Sequence, residues 1–287
     1  MVVDSHCHIF SDQIVRNTAQ RRRMIGELKL CVIGSEVRLS PESLDISAQR
    51  NGVDICVILP TAPPHRVMEE NDRFMELAST SGRLRTLATL HPLMSGLSNE
   101  VRRMFDAGIP GFKFSSFSQR FDPLSIEVFE MLDEIEKLGV KNSIVPVAIF
   151  DTFCMADIYY DTHSEHVMRP QKMAILVARY PGINFVAAHM GGLLASYDEI
   201  RRELTPSPNL YLDTSNAAHT LRSDQFIDLL KTHGSDRILF GTDWPWFMHE
   251  EELLKIRELI LRAGFDDSDR DAVFGDNALR LFQFRIV

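Results

Sequence analysis

Two histidines separated by one residue, His6 and His8, lie near the start of the chain, and Asp4 precedes them. The surrounding segment is apolar and predicts a β-strand, in which alternate side chains share a face. Strict alternation would direct Asp4, His6 and His8 to one face, and Ser5 and Cys7 to the other. Two imidazoles on one face can bind a divalent ion, and Asp4 would then fix the tautomer of a ligating imidazole. The pair alone is equally compatible with packed or exposed histidines.

Two further polar residues, His189 and Asp243, end later apolar segments. A carboxylate at Asp243 would balance part of a divalent charge and accept a proton from metal-bound water. His189 suits general acid–base chemistry or a further ligand position. A divalent ion would lower the pKa of its bound water to about 7 and polarise a carbonyl or lactone oxygen. Imidazoles with a carboxylate favour one zinc ion, with manganese, iron or cobalt as alternatives.

These residues need elements that bring them together, and the chain contains eight short apolar runs, each followed by a helical pattern. Near-continuous apolarity is typical of strands covered on both faces, as in parallel sheets. Eight alternating units predict an α/β fold, a single (β/α)8 TIM barrel with its chemistry at the carboxyl ends of the strands. The runs are Val2–Phe10, Asp54–Pro60, Leu84–His91, Gly108–Ser115, Ser143–Phe150, Asn184–His189, Asn209–Ser215 and Arg237–Asp243.

Helix start and stop signals separate the strands. A capping residue before proline predicts a helix start at Ser40-Pro41, and Arg169-Pro170 and Ser223-Asp224 predict two more. Another helix is expected to open at Asp122-Pro123 and to end near Leu138-Gly139, where the glycine suits a C-terminal cap.

The chain is expected to form one domain over residues 1–287, because no linker or low-complexity tract divides it. Two connections are longer than a barrel needs, near residues 11–40 and 151–169. Both follow the carboxyl end of a strand, where long loops often form lids or substrate walls. Plain tolerated insertions are the alternative.

Composition excludes several classes of protein. A net charge of −9 and a pI near 5.6 argue against general nucleic-acid binding. No apolar stretch is long enough for a membrane span, and no signal-peptide pattern is visible, so a cytoplasmic location is expected. The four cysteines are scattered and predict neither a disulfide framework nor a zinc knuckle. The basic run Arg21–Arg23 has two interpretations: it forms a solvent-exposed loop or helix face, or one of its arginines reaches an anionic substrate from a loop over the active site.

Four motifs, spread from end to end, resemble the amidohydrolase superfamily, and within it the branch related to aminocarboxymuconate-semialdehyde decarboxylase. They are Asp4-Ser5-His6-Cys7-His8, His189-Met190-Gly191-Gly192, Gly241-Thr242-Asp243-Trp244-Pro245 and Asn277-Ala278-Leu279-Arg280-Leu281-Phe282. The resemblance implies metal ligation by His6, His8 and Asp243, with His189 as the catalytic histidine. It also implies hydrolysis of amide, lactone or similar bonds, or non-oxidative removal of CO₂ from small acids.

One position departs from the pattern of that branch, which usually places a ligating histidine at the end of the fifth strand. Phe150 occupies the expected position, and phenylalanine cannot bind a metal. Asp151 would substitute if a bulge re-aimed it, and His189 would be another replacement ligand. The following loop offers further donors, and a weak or absent metal is the last alternative. The donors in that loop are Asp161, His163, Glu165 and His166.

Other residues are candidates for the substrate pocket. In this branch a lysine such as Lys113 is a cation in the pocket, which would attract a substrate carboxylate; a buried structural lysine and a carbamate bridging two metals are the alternatives. His91 is a candidate for the mouth of the barrel, and Trp244 for the substrate wall. His219 and Trp246 are weaker candidates. Cys7 is not expected to be a nucleophile, because alternation turns it away from His6.

The sequence therefore predicts a metal-dependent hydrolase that uses metal-activated water on an amide or lactone bond of a small cyclic or carboxylated, anionic substrate. A non-oxidative decarboxylase is the near alternative. A catalytically impaired barrel that acts as a binding protein is the alternative from another class. A homo-oligomer is compatible with the sequence, which does not fix the number of subunits.

Overall fold

A computed structural model describes residues 1–31, 40–154 and 163–284. In this structure each of the eight predicted apolar runs contains a strand, so the prediction of eight alternating units is confirmed. The strands are shorter than the runs, because several residues at the run ends form turns that carry polar side chains. They are β1 (Val3–Cys7), β2 (Ile55–Ile58), β3 (Leu84–Thr86 and Ala88–Thr89), β4 (Gly111–Phe114), β5 (Val147–Phe150), β6 (Asn184–Ala187), β7 (Leu210–Asp213) and β8 (Ile238–Leu239).

The strands pair in parallel, each with its neighbour in the sequence. The ladder is interrupted inside β3, at Leu87. Backbone hydrogen bonds then join the first strand to the segment after the last one, from Ser5 N to Phe240 O at 2.9 Å and from Asp243 N to His6 O at 2.9 Å. The protein is a single (β/α)8 barrel, as predicted.

Helices of very different length surround the strands. Short helices at Asp12–Ala19, Arg22–Leu28, Ser116–Gln119 and Ala217–Thr220 follow the carboxyl ends of β1, β4 and β7, where they can reach the mouth of the barrel. The helices are α1 (Asp12–Ala19), α2 (Arg22–Leu28), α3 (Pro41–Asn51), α4 (Val67–Ser79), α5 (Leu97–Asp106), α6 (Ser116–Gln119), α7 (Ile126–Asn142), α8 (Pro170–Arg179), α9 (Tyr197–Glu203), α10 (Ala217–Thr220), α11 (Ser223–His233), α12 (His249–Ala263), α13 (Asp267–Asp271) and α14 (Asn277–Phe282).

The predicted helix starts at Ser40, Arg169 and Ser223 are confirmed to within a residue. The prediction for α7 is wrong at both ends. Asp122 caps no helix, because its carboxylate accepts from Leu124 N and pairs with Lys172; the helix begins after Ser125 instead. Gly139 lies inside α7, where a Cβ would come within 2.5 Å of the Pro146 ring. This glycine therefore serves close packing and not a cap.

Two apolar layers form the core. Alternate strand residues such as Val57 and Ile149 fill the barrel interior, and α14 closes its lower end with Leu281 and Phe282. The other strand residues, among them Phe150, pack outward against the helices. This division decides which side chains can reach the mouth of the barrel.

The two predicted insertions differ in what the structure describes. Residues 11–31 form α1 and α2 and a short segment after them, and residues 32–39 lie outside the described residues. In the second, residues 155–162 are outside the described part of the chain, and with them the candidate Asp161. No helix in the described ranges is both long and apolar enough to cross a bilayer.

Candidate metal centre

His6 and His8 lie side by side at the mouth of the barrel, with their Nε2 atoms 3.1 Å apart. His6 donates from Nδ1 to Asp213 Oδ2 at 2.8 Å, and His8 Nδ1 lies 3.4 Å from the carbonyl oxygen of Leu59. These contacts place the hydrogen of each neutral ring on Nδ1 and leave a lone pair on each Nε2. Two lone pairs that face each other at this distance fit a cation between them.

The tautomer of His6 is fixed by Asp213 and not by Asp4, so the expectation for Asp4 is wrong. The register of β1 against β2 shifts between Asp4 and Cys7. This irregularity turns Asp4 to the outer face, where its carboxylate accepts from Thr242 and from His249. Sequence reasoning did not single out Asp213. This residue is the last of the seventh strand, and His189 and Asp243 likewise lie at or just after the carboxyl ends of their strands.

Asp243 completes a first group of metal-binding atoms. Its Oδ1 lies 3.3 Å from His8 Nε2 and 3.9 Å from His6 Nε2, and the three ligand atoms lie within 4.8 Å of one another. Its backbone is left-handed, with φ of 64°. Gly241 allows β1 to approach, because a Cβ there would lie 2.9 Å from His6 Cβ. The Gly241-Thr242-Asp243 sequence therefore positions the carboxylate over the two imidazoles.

Asp151 forms a second group with His6 and His189. Its Oδ1 lies 3.7 Å from the Nε2 atom of each histidine. The side chain reaches the site without the bulge that the sequence had called for: Phe150 points outward and stacks on Phe114, so the next residue points inward. An acidic residue thus lies one position after the one at which the branch usually carries histidine.

Lys113 is fully buried and forms an ion pair with Asp151, and its Nζ lies 3.3 Å from His6 Nε2. Burial alone would raise the pKa of Asp151, but Lys113 and the two histidines overcome it and hold this pKa well below its usual range. Burial and the positive charge of Lys113 lower the pKa of His6, and this favours the neutral imidazole that a metal requires.

His189 faces the cavity with a left-handed backbone, at φ of 60°. Its Nδ1 lies 3.0 Å from Ser215 O and 2.9 Å from Ser215 Oγ. Burial alone would lower its pKa, but the nearby carboxylates of Asp151, Asp243 and Asp213 raise the pKa of His189 to about 8. In the absence of a bound cation, His189 is therefore an imidazolium at neutral pH.

A cavity of about 100 Å³ opens beside these groups. Its polar side includes His8, Asp151, His189 and Asp243, and no lysine or arginine of the described residues lines it. Its apolar side is made by α1, α2 and neighbouring segments. These apolar residues are Phe10, Ile14, Met24, Leu28, Leu30, Phe117, Phe153, Leu193 and Trp246. The first predicted insertion therefore contributes a wall of the site.

Asn216 lines the same cavity and was missed by sequence reasoning. Its side chain is fully buried, and neither Nδ2 nor Oδ1 has a hydrogen-bond partner among the described residues. An unpaired buried amide costs free energy unless something pairs with it. Its position just after β7 was the available signal, since it directly follows Asp213, Thr214 and Ser215.

The structure places the remaining candidates elsewhere. His91 is buried and bonds Gln119 O through Nε2, away from the cavity. Trp244 packs in the outer core, whereas Trp246 lines the cavity. His219 bonds Glu252 and stacks on Phe247. Lys113 reaches the site only through Asp151 and His6. The loop donors His163 and Glu165 are exposed, and His166 lies beside Glu165; none of the three lines the cavity.

A parallel barrel whose strand ends collect histidines and aspartates around one cavity defines the class of metal-dependent barrel enzymes. The amidohydrolase family model matches residues 3–284, and the chain belongs to this family. It is therefore an enzyme of the amidohydrolase superfamily. The expected branch, related to aminocarboxymuconate-semialdehyde decarboxylase, is also confirmed.

One curated relative is a gamma-resorcylate decarboxylase from Polaromonas sp. (strain JS666 / ATCC BAA-500), 29% identical over a segment that covers 38% of this chain and 36% of the relative. The match thus spans about a third of that relative's length. Members of the amidohydrolase family are metal-dependent.

Two solved structures share the fold over nearly the whole chain. A probable 2-pyrone-4,6-dicarboxylic acid hydrolase from Acinetobacter baumannii, with bound citric acid, has a TM-score of 0.66 at 13% identity and 99% coverage of both chains. A 5-carboxyvanillate decarboxylase from Novosphingobium aromaticivorans, with bound manganese, has a TM-score of 0.69 at 13% identity, over 99% of this chain and 97% of that one.

Proposed function

We propose that this enzyme removes CO₂ non-oxidatively from a small hydroxylated aromatic acid at a single divalent metal ion. The observation that carries the proposal is the division of the cavity. One side is apolar and aromatic, and the other carries the imidazoles of His8 and His189 with the carboxylates of Asp151 and Asp243. An apolar wall of this kind accepts a flat ring, and the polar side receives the carboxylate that leaves.

His6, His8 and Asp243 would hold the metal, and Asp151 would take the position that Phe150 leaves without a donor. His189 is the further ligand candidate that the sequence suggested. We assign it acid–base chemistry instead, because Ser215 holds its Nδ1 and leaves Nε2 toward the cavity. When bound, the cation would neutralise part of the substrate charge and polarise a substrate oxygen. Two imidazoles with one or two carboxylates suit manganese as well as zinc.

His189 supplies the proton in this proposal. Loss of CO₂ leaves an electron pair on the ring carbon, and a proton from His189 Nε2 converts it to a C–H bond. The neutral imidazole regains its proton from water, so the overall change is one CO₂ released and one hydrogen gained by the ring. In the metal-free chain the pKa of about 8 keeps His189 protonated, so this residue can carry the proton that the ring carbon accepts.

Substrate recognition would depend on few polar groups, because no described cation lines the cavity. The expectation that Lys113 attracts the substrate anion is replaced by a role in holding Asp151. Asn216 offers an unpaired amide to a ring hydroxyl or a carboxylate oxygen. The aromatic wall, with Phe117, Phe153 and Trp246, would stack on the ring.

Hydrolysis of a lactone is the second candidate, favoured by the fold shared with the probable 2-pyrone-4,6-dicarboxylic acid hydrolase. In that reaction Asp243 would accept a proton from the attacking water. A hydrolase of a dicarboxylate has two charges to neutralise, and the described cavity wall provides no lysine or arginine for them. This observation supports our choice of decarboxylation over hydrolysis.

A paired assay separates the two reactions. Metal-stripped protein is reconstituted with manganese or zinc and given 2,6-dihydroxybenzoate, related hydroxybenzoates and 2-pyrone-4,6-dicarboxylate. We expect metal-dependent CO₂ release from a hydroxybenzoate and no opening of the pyrone ring. Ring opening without CO₂ release would replace decarboxylation by hydrolysis. Absence of both activities with every metal would contradict the proposal and favour a binding protein.

A further inference from the structure

A second cluster of ligand-type side chains lies on the outer face of β1, behind the catalytic site. Cys7 from β1, Cys56 from β2 and His249 at the start of α12 form a group of potential metal ligands. Asp4 from β1 is the fourth member, because its carboxylate accepts a hydrogen bond from His249. All four side chains are fully buried. None of the four lines the cavity that holds His8 and His189. We call these four residues the outer cluster.

The irregularity in β1 creates this cluster. Residues three apart point to opposite faces of a regular strand. The register of β1 shifts between Asp4 and Cys7, and both side chains therefore face the helices while His6 and His8 face the barrel interior. Cys56 pairs in register with Asp4 on the neighbouring strand. The same local irregularity thus supplies two ligand-type groups on each side of β1.

The distances within the outer cluster are close to those of a small tetrahedral site. Asp4 Oδ2 lies 3.0 Å from His249 Nε2, and Cys56 Sγ lies 3.9 Å from the same nitrogen. The ligand atoms of Cys7, Cys56 and His249 all lie within 4.8 Å of one another. Zinc bonds of about 2.0–2.3 Å place the corners of a tetrahedron roughly 3.3–3.8 Å apart. Side-chain shifts would bring the atoms of Cys7, Cys56 and His249 to those separations, with Asp4 beside His249 as the fourth ligand.

Contacts around the cluster orient two of the four groups. Ser47 Oγ lies 2.8 Å from His249 Nδ1, which leaves Nε2 directed at Asp4 and Cys56. Thr242 donates to Asp4 from its backbone nitrogen and from its hydroxyl group. Partners of this kind hold the ligands of protein metal sites in place.

We propose that Asp4, Cys7, Cys56 and His249 bind a second, structural zinc ion. The set has two thiolates, one imidazole and one carboxylate, a combination that selects zinc over manganese or magnesium. It leaves no position for substrate, because all four corners are protein atoms and no solvent reaches them. The ion would join β1, β2 and α12 and so support the strand that carries His6 and His8.

Cobalt binding tests the proposal, because cobalt bound to thiolates absorbs in the near ultraviolet and cobalt bound only to imidazoles and carboxylates does not. The full chain is purified under reducing conditions, stripped of metal and titrated with Co²⁺. We expect a thiolate-to-cobalt band that saturates at one equivalent. The band should be lost in Cys56→Ser and retained in Cys154→Ser, whose thiol is half-buried and outside the cluster. It should persist in His8→Ala, which separates the result from the fate of the catalytic site.

Native mass spectrometry of the unmodified chain provides the second measurement, and it does not depend on whether Cys56→Ser folds. We expect two zinc ions per wild-type chain and one in His8→Ala. A wild-type chain that binds no more than one zinc ion and shows no cobalt band would overturn the proposal. A chain mass two units below that of the reduced protein, mapped to a Cys7–Cys56 disulfide, would also overturn it. So would a thiolate-to-cobalt band that persists in Cys56→Ser.

Discussion

His6 Nδ1 donates to Asp213 Oδ2 across 2.8 Å, and this bond directs the free Nε2 of His6 toward His8. Asp213 is almost completely buried, and its carboxylate also accepts from His189 N and Ser215 N. Burial alone would raise the pKa of Asp213, but His6 and its other partners overcome this and lower it, so the carboxylate stays charged. One carboxylate thus orients both a proposed ligand and the backbone of the proposed proton donor.

Replacement of Asp213 by asparagine should weaken metal binding about 10–100-fold, the usual effect of losing a carboxylate that orients a ligating histidine. Competition with a chelator of known affinity measures the change. Asp228→Asn is the matched control, because Asp228 is a surface carboxylate that bonds Tyr197 and Arg201. Equal metal affinity in Asp213→Asn and wild type would show that His6 needs no such partner.

Phe150→His restores the residue type that the branch usually carries, yet we expect the introduced imidazole not to bind the metal. Phe150 packs outward against Phe114 and Phe185, so an imidazole there would lie in the apolar core. The substitution should lower the free energy of unfolding by about 2–4 kcal/mol. Phe150→Leu keeps the site apolar and should cost about 1–2 kcal/mol. Tighter manganese binding by Phe150→His would mean that residue 150 does face the metal.

The Lys113–Asp151 ion pair predicts a large cost for removal of one partner. Lys113→Met leaves the Asp151 carboxylate buried beside two histidines. Loss of one partner of a buried pair typically costs about 3–5 kcal/mol. In metal-stripped protein, denaturant unfolding should show a loss of this size, and the double variant Lys113→Met/Asp151→Asn should lose less than the sum of the single variants. Added metal should reduce the loss. Additive costs would show that the two groups do not interact.

The raised pKa of His189 predicts a pH-dependent stability in metal-stripped protein. Its pKa is about 8 in the folded chain and near 6.5 in the unfolded chain. The contribution is therefore complete below pH 6.5 and is lost as the pH rises through 8. Between these values the free energy of unfolding should fall by about 1.4 kcal/mol per pH unit on account of His189, about 2 kcal/mol in all.

His189→Gln should remove this part of the slope while leaving the part due to His249. Burial alone would lower the pKa of His249, but Asp4 and Cys56 raise it to about 10. The slope should also shrink when wild-type protein binds metal, because an added positive charge lowers the pKa of His189. Equal slopes in His189→Gln and wild type would contradict the assignment.

Much of the fold followed from the sequence, because apolar runs and helix caps act locally. The eight strands lie where the apolar runs are, and Ser40 and Arg169 mark real helix starts. The end of α7 did not follow, since Gly139 is required by contact with Pro146, which is a tertiary constraint. Helix signals read along the chain cannot detect such a contact.

The residues that form the motifs of the site were predictable, whereas several residues around them were not. His6, His8, His189 and Asp243 come together as the motifs suggested. Asp4 does not, because a register shift in β1 breaks the alternation that the prediction assumed. Asp151 faces the site because side chains alternate along the strand and Phe150 points outward. The sequence did not make this evident, because the motif of the branch places the ligand one position earlier, at residue 150.

The central claim is that His6, His8 and Asp243 hold a divalent ion, and a manganese titration followed by electron paramagnetic resonance tests it most directly. Manganese disfavours thiolates, so the outer cluster does not interfere. The account predicts one tightly bound manganese ion per wild-type chain and the loss of this ion in His8→Ala. His65→Ala is the control and should retain the ion, because His65 lies in a one-turn helix (Pro64–Arg66) away from the cavity. Tight manganese binding that persists in His8→Ala, or none in wild type, would contradict the account.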